Sequence, residues 1–197
     1  MTASTLIAPP TVEPVTLTEA KAHARIDSNE DDALVTSLIT AARQWAERYT
    51  NRAFITQTWK LALDTPPKAD APHEILLPKA PLQSVTKVEA FSDTDTPTLW
   101  PEANYFVDTS HEPGRLVQRL GATWPAFDRL ANGMEVTYVA GYGDDASSVP
   151  EPIRAAIREL ITDWYQHRGD EDQYTYRQSA FIAHALLAPY RQMNLRK

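Results

Sequence analysis

Residues 31–63 read DDALVTSLITAARQWAERYTNRAFITQTWKLAL, and the hydrophobic period changes once inside this stretch. Leu34, Leu38, Ala41, Trp45 and Tyr49 recur at steps of four, three, four and four, which is one face of an α-helix. Val35, Ile39, Ala42 and Ala46 widen that stripe, giving the helix enough apolar width to face two neighbours. A helix from Asp31 to Tyr49 spans roughly 28 Å, and Asn51 stands where a left-handed C-cap residue falls. From Phe54 onward the pattern changes: Ile55, Gln57, Trp59, Leu61 and Leu63 alternate with Thr56, Thr58, Lys60 and Ala62, a period of two that predicts a strand.

Toward the N-terminus, Thr16-Leu17-Thr18-Glu19 fits a capping box and starts a short helix ending near Ile26. Residues 1–15 carry three prolines and no period, and read as a loose arm. Toward the C-terminus, short strand candidates lie between proline-marked turns at Glu74–Leu77, Ser84–Phe91, Tyr105–Val107, Arg115–Gln118 and Glu135–Ala140. Spacing of this kind predicts a mainly antiparallel β region. Val149-Pro150-Glu151-Pro152 then opens a third helix, since proline in a first turn costs no hydrogen bond. Ile153, Ile157, Leu160, Ile161 and Trp164 give its apolar face, and His167-Arg168-Gly169 a plausible ending. The expected fold class is α+β: a helical body (16–53 and 149–168), a β-rich insertion (54–148), a flexible arm (1–15), and a linker with an extended C-terminal tail (169–197).

Composition narrows the function classes. The 197 residues contain no cysteine, which excludes disulfides, thiolate zinc sites and cysteine nucleophiles. Formal charge is −7, and a surface of that sign repels phosphate, which argues against broad DNA binding. An acidic wall is compatible with DNA passing as cargo. No secretory signal and no apolar run of membrane-spanning length is visible, so no membrane partner is expected.

Catalytic and metal motifs are missing. His23, His73, His111, His167 and His184 include no i, i+4 pair and no HExxH context. Asp93-Thr94-Asp95 reads as a β-turn rather than a calcium loop, and Glu30, Asp31 and Asp32 as first-turn acids suited to a helix dipole. There is no GxSxG elbow, no GxxxxGK[ST] loop and no GxGxxG after a strand. The reading is a non-enzyme without cofactor or metal. The last segment is different: Arg177, Arg191, Arg196 and Lys197 alternate with Tyr174, Tyr176, Phe181 and Tyr190. Four apolar side chains (Phe181, Ile182, Leu186, Leu187) set against the ordering entropy of eleven residues leave this tail marginal by itself. Docking on another chain is therefore expected over packing on its own body, with Gly169–Gln173 as the linker that permits it.

The order of segments resembles the phage head–tail connector (adaptor) family, including the DNA-packaging-protein version of prophages and gene transfer agents. The matching residues are Val15-Thr16-Leu17-Thr18-Glu19-Ala20-Lys21-Ala22-His23, Asp31-Asp32-Ala33-Leu34-Val35, Ala41-Ala42-Arg43, and Ala46 through Ala53. Leu76-Leu77-Pro78, Pro81 through Val85, Val139 through Gly143, Val149 through Ile157 and Leu186 through Arg191 follow in order. Asn51 departs from the glycine expected there, without changing the backbone geometry available. The resemblance implies a virion structural subunit at the particle neck, made in the bacterial cytoplasm. It implies a homo-oligomeric ring of about twelve copies beneath the portal protein, with DNA in the lumen and a downstream neck or tail-terminator protein below. It also implies a tail that reaches the portal, for which the partner-binding candidates are Phe181, Leu186, Leu187, Tyr190 and Arg191, with Trp45 and Tyr49 secondary. The alternative is a packaging component that binds DNA directly, in the manner of a small terminase subunit. Such a protein would need a basic face on a helical pair, and tight, steeply salt-dependent DNA binding would distinguish it. A hydrolase with a triad assembled from distant residues would instead need a pocket of converging titratable groups.

Overall fold

The structure is a computed structural model and describes residues 2–65, 67, 73–167 and 181–192. It is α+β, with helices and antiparallel sheets segregated into two compact units: Thr11–Ile55 with Tyr142–Lys197, and Met1–Pro10 with Thr56–Gly141.

The helical unit contains α1 (Leu17–Ala24), α2 (Asp32–Thr50), α3 (Glu151–Gln166) and α4 (residues 181–187), followed by a 3₁₀ turn over Ala188–Tyr190. Its ends follow local chemistry. Thr16 Oγ1 accepts from Glu19 N at 3.2 Å, and Thr16 N donates to Glu19 Oε2 at 2.9 Å, which completes the capping box. Asn51 ends α2 in the left-handed region at φ 56°, as its position predicts. Arg25 ends α1 in the same region at φ 57°, an ending the sequence does not announce. On α2 the deepest face is Val35, Ile39, Ala42 and Ala46, while Leu34, Leu38, Trp45 and Tyr49 flank it half-buried. Val35, Ile39, Ala42 and Ala46 pack with Ile153, Ala156, Ile157, Leu160 and Ile161 of α3 in one core. Each large aliphatic side chain withdrawn there contributes about 1.5–3 kcal/mol of transfer free energy.

Charges inside this unit are paired. Arg43, only 6% exposed, donates to Glu13 (Nε to Oε2, 2.7 Å) and to Glu47 (Nη1 to Oε2, 2.9 Å). The other oxygen of Glu47 accepts from Phe54 N at 2.9 Å. Lys21 Nζ reaches Asn29 and Asp32, both at 2.6 Å, and Tyr165 Oη donates to Asp31 at 2.6 Å. The acids at the start of α2 thus join α1 and α3 to it.

The β unit holds a five-stranded sheet and a three-stranded sheet. Its strands are β1 (Thr2–Ala8), β2 (Gln57–Leu63), β3 (Glu74–Leu76), β4 (Leu82–Phe91), β5 (Pro97–Leu99), β6 (Tyr105–Asp108), β7 (Arg115–Gln118) and β8 (Met134–Ala140). The orders are β1-β2-β8-β4-β5 and β3-β7-β6, with antiparallel neighbours throughout. Central β8 alternates strictly, burying Met134, Val136, Tyr138 and Ala140. Tyr138 Oη donates to Pro78 O at 2.7 Å, which satisfies the polar tip of a buried ring. A second aromatic group joins Trp100 to Tyr105 and Trp124, with centroids 5.3 and 4.9 Å apart.

Three expectations need correction. Residues 2–8 are not a loose arm but the edge strand β1, paired with β2 from Thr2↔Leu63 to Ala8↔Thr58. The prolines that suggested an arm stand at 9, 10 and 14 and only end the strand. Phe54 and Ile55 do not begin the β region: both are buried in the helical core, and β2 starts at Gln57. At the other end, Tyr142 N donates to Phe54 O at 3.0 Å, so the chain from Tyr142 to Ser148 belongs with the helices rather than with an insertion reaching 148. The short β5, with all three residues exposed, has no burial pattern by which to be read.

Candidate functional site

Residues 181–192 carry most of the partner-binding candidates. α4 lies against an aromatic ledge on α2, where Trp45 and Tyr49, one helical turn apart, stack with centroids 5.6 Å apart and an interplanar angle of 4°. His184 meets both rings edge-on at 5.0 and 4.6 Å, and the Arg191 guanidinium lies 5.5 Å from the Tyr49 centroid. Behind this ledge Ala183 and Leu187 are fully buried in the core formed by α2 and α3. The segment is fastened at its far end as well. Arg52 Nε donates to Tyr190 O at 2.6 Å, and Gln192 N to Thr50 O at 2.9 Å.

This packing differs from the expected tail. The stretch 181–192 folds on its own unit, because the ledge, the buried i, i+4 pair Ala183–Leu187 and the two backbone anchors add to what its four apolar side chains contribute. Leu187 faces its own core, Leu186 and Tyr190 are half-buried against it, and Arg191 is exposed over Tyr49. Phe181 stays outside at 72% exposure, next to Ile182 at 44%. Sequence reasoning missed His184 and Arg52 as the groups that seat α4. The i, i+4 aromatic pair on α2 was the available signal. The linker 169–173 and Tyr174, Tyr176, Arg177, Arg196 and Lys197 lie outside the described residues.

A second surface belongs to the β unit. A groove of about 370 Å³ lies along Gln83, Ser84 and Val85 of β4 and Tyr105, Phe106 and Val107 of β6. Phe106 is 53% exposed in its wall. Glu102 and Arg119 also line it, and Arg119 Nε donates to Tyr105 O at 2.9 Å.

The titratable groups are occupied with structure. His23 Nδ1 lies 2.9 Å from Thr162 Oγ1, His73 Nδ1 3.0 Å from Gln118 Oε1, and His111 Nδ1 2.8 Å from Pro113 O. His167 Nδ1 lies 3.0 Å from both the buried Asp163 Oδ1 and the Asp163 carbonyl. Arg115 holds Asp108 and Glu74 at 2.8 Å each, and that ion pair keeps the Asp108 carboxyl below the usual aspartate range. Among the described residues no three His, Asp or Glu side chains gather as a metal site would require. No described helix is long and apolar enough to cross a membrane.

Comparison with known proteins places these surfaces in context. No curated protein matches the chain. In fold, the whole chain is similar to a chain of the neck of an empty gene transfer agent particle computed with C6 symmetry, at TM-score 0.78 and 23% identity, covering 100% of this chain and 97% of that one. A chain from the virion of a native gene transfer agent particle gives 0.76 at 22% identity, and one from the native neck computed with C12 symmetry 0.74 at 23%, with the same coverage. Residues 14–90, from the strand of chain before α1 to the penultimate residue of β4, match the family described as Phage gp6-like head-tail connector protein, so the chain is similar to head–tail connectors in that part of its sequence and to gene transfer agent neck subunits in its complete fold.

Proposed function

We propose that this chain is a structural head–tail connector subunit of a phage or phage-like particle, assembling as a ring of copies in the neck. The observation that carries the reading is the fold likeness over the full length to chains of gene transfer agent necks, together with the connector match over residues 14–90. One feature supports a structural role: the ring nitrogens of His23, His73 and His111 and the Arg119 side chain in the groove are each engaged in hydrogen bonds within the fold. In this reading the ring lies beneath the portal protein, DNA passes through its lumen as cargo, and a further neck or tail-terminator protein binds below. The portal-facing contact falls to Phe181 and Ile182, which α4 holds outward, with Arg191, Leu186 and Tyr190 at its margin. Leu187 supports that face from within.

Imaging of particles that contain or lack the chain tests the reading. Loss of the chain should leave filled or empty heads without tails, and restoring it should return a ring at the neck. Particles that assemble and deliver DNA normally without it would overturn the proposal. Tight binding to free duplex DNA, steeply weakened by salt, would favour a direct packaging role instead.

A further inference from the structure

A ring closes only through a heterologous contact, in which one surface of a copy meets a different surface of the next. The β unit displays two such surfaces, at opposite sides of one sheet. The first is β1. Every residue from Ala3 to Ala8 is exposed, Leu6 by 40% and Ile7 by 52%, and among the described residues its only strand neighbour is β2. Residues 1–12 contain no charged side chain. Edge strands of stable monomers are usually blunted by lysine, proline or a bulge. Here the pairing shifts only between Leu6 and Ala8, and Pro9-Pro10 follow the strand, which leaves Ala3–Leu6 regular and open.

The second surface is β4. β5 pairs with it only at Glu89, Ala90 and Phe91, and Trp100 N takes the carbonyl of Val88 at 2.8 Å. Ahead of Val88, Gln83, Ser84, Thr86 and Lys87 are exposed, and among the described residues no strand lies beside β4 on the side away from β8. The register to β8 shifts between Leu82 and Ser84 and between Val85 and Lys87, so the added strand must follow a bulged edge. This open stretch borders the groove whose far wall is β6, itself an edge strand. An extended, uncharged backbone segment fits such a place: it supplies ladder hydrogen bonds to β4 and apolar side chains to Val85, Phe106 and Val107.

We propose that the open stretch of β4 receives β1 of a second copy of this chain, so that the sheets of successive copies join edge to edge. The chain's own β1 cannot serve, because β2 and β8 lie between and hold it about 14 Å from β4. Strand direction supports the pairing. Three antiparallel steps separate β1 from β4, so the two run in opposite directions within one copy. Rotation about a ring axis preserves the axial sense of every strand, and β1 of one copy therefore arrives antiparallel to β4 of the next. This inference rests on the ring reading above and names the surfaces that close the ring.

The test uses the absence of cysteine from the 197 residues. Thr5→Cys and Leu6→Cys, which cover both faces of β1, are each mixed with Ser84→Cys or Thr86→Cys and oxidised, as purified protein and in assembled necks. Disulfide-linked pairs should form between a β1 variant and a β4 variant, and not between two β1 variants. Separately, Leu6→Lys and Phe106→Lys should each weaken ring formation at least about tenfold, read by native mass spectrometry, a change equal to one lost contact. Because both side chains are substantially exposed, the melting temperature should stay unchanged, which separates lost assembly from lost folding. Bridges between two β1 strands would overturn the pairing in favour of a symmetric dimer. Rings that form in the wild type, survive both lysine substitutions and yield no β1–β4 bridge in the cysteine variants would overturn the pairing and leave the ring reading intact. A wild-type chain that forms no ring, alone or in a neck, would overturn both.

Discussion

The two units treat their apolar residues differently. In the helical unit Ile153, Ile157, Leu160, Ile161 and Leu187 are all 2% exposed or less. In the β unit Leu120 and Leu130 are essentially fully exposed, Leu99 is 61% exposed and Phe106 53%, although Tyr138, Met134 and Leu116 are fully buried. The helical unit also closes its charges on itself through Arg43, Glu13 and Glu47, whereas the β unit has edge strands at both ends of each sheet. The helical unit leaves Phe181, Ile182 and Val12 exposed as well, so its apolar surface gathers at α4 and the segment before α1, while that of the β unit is spread over strands and loops.

Substitutions at matched positions can break or sharpen this contrast. The largest effect is expected for Ile157→Ala in the centre of α3, where removing three carbons from a fully buried site should cost about 4 kcal/mol in a urea titration. Arg43→Ala should follow at about 3 kcal/mol, since it strands the Glu13 and Glu47 carboxylates that the guanidinium now serves. Should Arg43→Met prove much milder than Arg43→Ala, the packing of the side-chain stem would matter more than the ion pairs. Thr16→Ala removes one partner of the capping box and should cost about 1 kcal/mol by thermal melting.

That same cap gives the helical unit an acid sensitivity. The Glu19 carboxyl is held below its ordinary value by the Thr16 backbone N–H, partial burial opposing, with the Thr16 hydroxyl and Arg154 adding to the effect. A carboxyl whose folded-state pKa is depressed contributes stability that is complete above its unfolded value, 4.5, and is lost as pH falls through the lower folded one. Stability should therefore drop below about pH 4.5, and Glu19→Gln, which cannot ionise, should flatten that dependence; an unchanged slope would show that Glu19 is not its source. At the mild end, Asn51→Gly should raise stability by about 0.5 kcal/mol, because the left-handed cap at φ 56° carries no Cβ strain in glycine. Leu130→Asn should be smaller still, within about 0.5 kcal/mol of zero either way, as its side chain is 96% exposed. A large loss there would mean that the β unit depends on a contact its burial does not reveal.

Where a segment buries one face, its sequence announces it. The α2 stripe, the Thr16–Glu19 box, the Asn51 cap and the alternation in β8 each couple a residue pattern to one exposed and one buried side. β1 buries neither face, so Thr2–Ala8 has no alternation to read, and the strongest local signal is the proline pair that ends the strand. Even the α2 stripe was read one position off its deepest line, because Trp45 and Tyr49 are large enough to look central while serving as a ledge for α4. The five partner-binding candidates illustrate the same limit. Phe181 and Leu187 are equally apolar in sequence, yet one faces solvent and the other the core, a distinction set by helix phase against a groove that only the folded chain contains. The open stretch of β4 was illegible for a different reason: it exists because β5 is short, and strand length at an edge leaves little trace in composition.

The clasp at the end of the described chain has a mechanical side. Gln192 N grips Thr50 O and Arg52 Nε grips Tyr190 O, on either side of the Asn51 cap. Tension applied beyond residue 192 therefore meets two fasteners at the terminus of α2 before it can strip Leu187 from its socket. The longest of the described helices, α2, becomes the strut that bears the load, and the pull is spread along its 19 residues rather than taken by the seat of Leu187 alone.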